Sequence, residues 1–223
     1  MSYLIYILPA MLLASWAQYK VKSSFANGQQ VPASCGLSGV EVAQRILDEN
    51  RITNVGIEQV QGKLSDHYDP KAKMLRLSTA VYNGKDLAAL GVAAHEVGHA
   101  IQDATNYAPL RLRNGIVPLA SFGSQFSMGA FMLGGAIQAQ GFIILGVLLF
   151  CLTVVFQVIN LPVEFDASSR ARKILMKQGI VSSSEDKTVG KVLNAAALTY
   201  VAATISSIGT MLYYIARFSG RRR

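Results

Sequence analysis

The sequence predicts a mainly α-helical integral membrane protein with about four transmembrane helices and one small α+β region. Three observations lead there. Long apolar blocks with few charges cover residues 3–19, 116–139, 142–159 and 195–218. Between the first two blocks the residue pattern switches between helix and strand periods. Lysine and arginine collect in the polar segments and are missing from the turn near Gln140. The whole chain of 223 residues is 51% hydrophobic and only 15% charged, too apolar for an ordinary soluble domain. Its net charge of +8 comes without an aromatic-basic reading motif, so nucleic acid is not an expected partner. Two cysteines, Cys35 and Cys151, make no disulfide framework and lack zinc-ligand spacing.

In chain order, residues 1–19 are expected to form transmembrane helix 1. The rival is a cleavable signal peptide, since Ser15-Trp16-Ala17 is a small-x-small pattern, but no basic residue precedes the block. Residues 20–115 form the polar α+β region. Ser38 and Glu41 make a capping box for a short amphipathic helix that buries Val42, Ile46 and Leu47 and stops near Asn50. Residues 57–61 and 73–78 alternate as strands, with a hairpin near Asp69-Pro70, and 73–78 is expected to be a sheet edge. Asp86 can cap a helix running to about Asp103.

Residues 116–159 are a transmembrane hairpin turning at 138–141, with Gln125 expected to face another helix or a cavity. Asn160-Leu161-Pro162 is expected to end the second arm, and a new helix to run over 163–176 inside a polar segment, 160–194. Residues 195–223 form transmembrane helix 4 and a basic tail, with Tyr213 and Tyr214 at interfacial depth. The segment 20–113 carries eleven Lys/Arg and 160–194 carries six, so both are expected on the cytoplasmic side of the membrane. Four full spans would put Arg221, Arg222 and Arg223 on the opposite side, against the same rule.

The densest chemistry lies at His95-Glu96-Val97-Gly98-His99, which holds two of the three histidines. Residues four apart share a helix face, so His95 and His99 can offer two imidazoles to one zinc ion. Glu96 lies about 100° around the helix, where its carboxylate can reach water at the metal without being a ligand. A catalytic zinc needs a third protein ligand and an open position. His67 and Glu164 are the candidates. Glu164 is favoured, because the hairpin returns the chain to the membrane face from which the motif helix departs. His67 then suits an oxyanion or substrate contact, with Tyr68 and Arg170 as further candidates. Asp103, one turn after His99, can orient an imidazole or stay a helix-surface carboxylate.

Beyond the motif, the runs Asp66-His67-Tyr68-Asp69-Pro70, Leu75-Arg76-Leu77-Ser78, Val81-Tyr82, the block from Ala93 to Gln102, and the block from Pro162 to Ser168 resemble the YugP-type membrane zinc metallopeptidases of bacteria. A more distant likeness is to the HtpX and CAAX-prenyl-protease group of gluzincins. The resemblance implies a gluzincin-like region with one zinc ion per chain, held by His95, His99 and Glu164, and Glu96 as general base. It also implies peptide or protein substrates, met at the bilayer surface in membrane-protein quality control or processing. The distant group usually carries an Asp four residues after its ligand Glu; this chain has Ser168 there and Asp166 two residues on. The competing reading is a non-catalytic membrane protein whose zinc is structural or vestigial and whose polar region is an interaction module. A closed structural site would need a fourth protein ligand, and the sequence offers no convincing one. Nothing in it sets an oligomeric state.

Overall fold

A computed structural model of the chain describes residues 3–219, with side chains for 8–216. The tail arginines Arg221, Arg222 and Arg223 lie outside the described residues. The chain is mostly helical. In order come α1 (Tyr3–Gln29), α2 (Gly39–Glu49), β1 (Gly56–Val60), β2 (His67–Asp69), β3 (Met74–Ser78), α3 (Thr79–Asn83), α4 (Leu87–Ala104), α5 (Ala108–Ala136), α6 (Gln140–Lys177) and α7 (Ser183–Ser219). Among the described residues three helices are long and apolar enough to cross a membrane, over Ala108–Ala136, Gln140–Lys177 and Ser183–Ala216. The first apolar block forms the amino-terminal part of α1, which is not one of these three.

The chain divides into two compact units, one of residues 1–18, 111–162 and 198–223, the other of 19–110 and 163–197. In the first, α5 and α6 form the expected hairpin. Its arms touch where glycine removes a side chain: a Cβ on Gly123 would lie 2.3 Å from the Leu149 carbonyl oxygen. Gly146 admits the Phe131 ring, which stacks on Tyr214 with centroids 3.6 Å apart. Large apolar side chains such as Phe122, Met132 and Leu148 point outward, as in a unit whose solvent is lipid. Gln125 is exposed on this outward side, contrary to expectation. The inward face of α5 runs through Ala120, Gly123, Ser127, Ala130 and Phe131, and position 125 falls on the other side of that period. The buried polar residue is Ser127, whose hydroxyl donates to the Ser124 carbonyl.

The second unit carries the sheet and its core. Ser38 and Glu41 cap α2 as a reciprocal box, and Asp86 caps α4 by accepting from the Ala89 amide. The strand order is β1-β3-β2, with β1 parallel and β2 antiparallel to β3. The strand expected at the edge is therefore the central one. Parallel pairing to β1 occupies one side of β3, and the hairpin with β2 occupies the other, leaving β2 as the free edge on that side. Leu75 and Leu77 point from β3 into a core shared with Val42, Ile46 and Leu47 of α2, Leu90 and Val97 of α4, and Ala171 and Leu175 of α6. Arg76, on the opposite face of β3, bonds Glu58 of β1 and, at 2.9 Å, Asp69 of β2.

Helix α6 does not end at Pro162. A proline deletes one N–H but keeps a helical φ, and here one buried stripe runs across it, through Asn160, Val163, Ala167, Ala171 and Leu175. The expected separate helix at 163–176 is the second half of α6. Burial on both sides of the proline outweighs the one lost hydrogen bond.

Candidate metal centre

The Ala-rich sequence of α4 favours helix throughout, and its small side chains let other elements approach closely. Its tightest contact is at Gly98, between the two motif histidines. A Cβ there would lie 2.7 Å from the carbonyl oxygen of Ala167 on α6. The glycine thus lets the two backbones touch, three residues after Glu164 on one helix and between His95 and His99 on the other. Glu164 is buried, and its Oε2 lies 3.4 Å from His95 Nε2 and 3.7 Å from His99 Nε2. The two rings meet edge-on with centroids 4.8 Å apart. Among the described residues these three are the group whose ligand atoms converge, all within 4.8 Å of one another.

The hydrogen bonds behind the rings decide what the front can hold. The Gln102 amide nitrogen donates to the Val163 carbonyl at 2.8 Å and to Asp166 Oδ2 at 2.9 Å, both obligate acceptors here. Its orientation is thereby fixed, and Oε1 faces His99 Nδ1 at 3.0 Å. An amide oxygen only accepts, so His99 Nδ1 carries a proton and, in the neutral ring, Nε2 presents a lone pair toward Glu164. His95 Nδ1 is held by the Ser168 hydroxyl at 3.1 Å. A lone pair facing a carboxylate is repulsive unless a cation lies between them. Tetrahedral zinc with ligand bonds near 2.0–2.1 Å sets ligand atoms about 3.3 Å apart, close to the observed 3.4 and 3.7 Å. The residues fit a zinc ion.

Electrostatics agree. Burial alone would lower the basicity of His99, but the facing Glu164 carboxylate and the Glu96 charge raise its pKa. Burial would raise the Glu164 carboxyl, yet the facing His95 and His99 imidazoles hold it well below the usual carboxylate range. The pocket is one that favours positive charge. Glu96 is buried beside these groups, 8% exposed.

A family model described as "Putative neutral zinc metallopeptidase" matches residues 3–219. The chain belongs to this family. It is also 44% identical over 222 residues to the Bacillus subtilis (strain 168) protein described as "Putative membrane protease YugP", covering all of this chain and 99% of that one. No solved structure matches the chain.

The other residues singled out in the sequence are placed differently. His67 lies exposed on the edge strand β2, its Nδ1 2.8 Å from the Ser65 carbonyl, and is not in the converging group. Tyr68 donates its hydroxyl to Asp103 at 2.6 Å, and burial together with that carboxylate raises its pKa. Asp103 also pairs with Lys73 at 2.6 Å, so this carboxylate clasps the β2–β3 hairpin to α4 and touches neither imidazole through these bonds. Arg170 is bound to Asp166 and lies over the Tyr107 ring, 5.5 Å from its centroid. Gln102 was not singled out in the sequence, where it is one more polar residue after the motif. The available signal was its position, three residues after His99 on an otherwise apolar helix face.

Proposed function

We propose that this protein is an integral-membrane zinc metalloendopeptidase that hydrolyses peptide bonds in membrane-associated or unfolded proteins, for quality control or processing. The observation that carries the proposal is the convergence of His95, His99 and Glu164 beside the buried carboxylate of Glu96. A structural site would call for a fourth protein ligand, and among the described residues three gather. His95, His99 and Glu164 would hold the zinc ion. When bound, zinc supplies a positive centre that acidifies water and polarises a peptide carbonyl. Glu96, adjacent to the first ligand and free of ligand duty, takes a proton from the attacking water at its carboxylate and passes it to the departing amine nitrogen.

The free edge of β2 gives an extended substrate its backbone partners. Tyr68 on that strand is tied to Asp103, one turn past His99, so the edge runs beside the motif helix. The exposure of His67 on the same strand supports a substrate contact for it over metal binding. The excess of Lys/Arg in 20–113 and 160–194, against none at the hairpin turn, favours the cytoplasmic side of the cell membrane for the centre.

The test is made on full-length protein in detergent with a denatured protein substrate. Removing metal with a chelator should abolish cleavage, and stoichiometric zinc should restore it. Glu164→Ala should bind less than one zinc per chain and stay inactive. Cleavage by fully metal-free protein would overturn the proposal.

A further inference from the structure

Gln102 is completely buried, an unusual place for an amide, whose oxygen and two N–H groups all call for partners. All three are met at the walls of the metal centre. Oε1 accepts from His99 Nδ1 at 3.0 Å. Nε2 holds the Val163 carbonyl and the Asp166 carboxylate, which lie one residue before and two residues after Glu164. One side chain therefore grips a ligand of α4 and brackets the ligand of α6. The grip is itself braced: Asp166 bonds Arg170, Arg170 covers the Tyr107 ring, and the Tyr107 amide donates to the Gln102 backbone carbonyl at 2.8 Å. His95 has no share in this network. Its Nδ1 partner is Ser168, a hydroxyl that can donate or accept.

We infer that Gln102 is the positioning residue of the metal centre, a strut that fixes the Nε2 lone pair of His99 and the separation of His99 from Glu164 together. The inference rests on the metal reading above. An amide is the group that can do both tasks. A carboxylate at 102 would accept from His99 but has no N–H for Val163, and would set a second negative charge against Asp166. An apolar side chain would do neither. Loss of such an outer partner costs about 10–100-fold in metal affinity.

The test uses full-length protein in detergent, with zinc affinity from chelator competition and the histidine protons from NMR of ¹⁵N-histidine-labelled protein. With three histidines in the chain, the spectrum is assignable by single substitutions. Wild type should show a slowly exchanging proton on His99 Nδ1, with and without zinc. Gln102→Leu should lose that protection and bind zinc 10–100-fold more weakly. Gln102→Glu should regain the protected proton yet stay at least about tenfold weaker than wild type, because the link to α6 is still missing. Wild-type zinc affinity in Gln102→Leu, or its full recovery in Gln102→Glu, would overturn the strut and leave the metal reading standing. A His99 protonated only at Nε2 in wild type would overturn it with no variant needed. Wild type that binds no zinc but keeps the Nδ1 proton would remove the metal reading, and with it the strut's purpose.

Discussion

Replacing Gly98 by alanine sets two effects of opposite sign against each other. In an ordinary helix interior the change should stabilise by about 1 kcal/mol, because alanine restricts the unfolded chain and favours helix. Here the new Cβ would lie 2.7 Å from the Ala167 carbonyl oxygen and 3.2 Å from that residue's Cα and carbonyl carbon, whereas ordinary contact begins at 3.4 Å. The obstacle is backbone, so α4 and this part of α6 must separate by about 0.7 Å, the shortfall between those two distances. Overpacking of that kind costs about 1–3 kcal/mol, which offsets or exceeds the propensity gain. The same shift moves Glu164 away from His95 and His99 by more than the roughly 0.2 Å that metal–ligand distances tolerate. Gly98→Ala should therefore unfold at a temperature no higher than wild type and bind zinc at least about tenfold more weakly, comparable to losing an outer partner. Thermal unfolding of the metal-free protein and a chelator-competition titration measure the two parts separately. A variant that is stabilised by about 1 kcal/mol with wild-type zinc affinity would refute the close-approach argument.

Other outcomes follow from the same contacts. Asp103→Ala should lower stability by about 1–3 kcal/mol, since it strands the Tyr68 hydroxyl and Lys73, while zinc affinity stays at the wild-type value; a chelator titration beside a melting curve checks both. Glu185 is held down to about 2, chiefly by the Ser182 amide, with further bonds from the Ser34 amide and the Ser182 and Ser34 hydroxyls. A depressed carboxyl contributes stability that is complete above its ordinary value near 4.5 and disappears as pH falls through about 2. Melting curves of wild type and Glu185→Gln should thus differ at pH 6 and converge between about pH 4.5 and pH 2; a constant gap across that range would contradict the assignment.

Features set by neighbours within one turn were legible in the sequence. The Ser38–Glu41 box and the Asp86 cap are decided by residues three apart, and both are formed. The meeting of Glu164 with the motif histidines was also accessible, because a hairpin of two apolar arms must bring its ends back together. Strand order was not. The pairing of β1 with β3 is parallel and skips β2, so no local pattern reveals that residues 74–78 are central. Pro162 misled for a different reason. Its local tendency to break a helix is real, but the burial of Val163, Glu164, Ala167 and Ala171 depends on packing against α4 that the sequence does not display. The partners of the imidazoles were hidden in the same way. Ser168 and Gln102 look unremarkable in the chain and become significant once the Gly98–Ala167 contact brings their helices together.

In the proposed hydrolysis Glu96 moves the proton without taking part in holding the metal. Glu96→Gln keeps the side chain's shape and removes its basicity. Full-length variant protein should retain one zinc per chain while cleavage of a denatured protein substrate falls by about 10²–10⁴-fold, the usual contribution of a positioned base. Equal cleavage by variant and wild type, with zinc equally bound, would contradict the account.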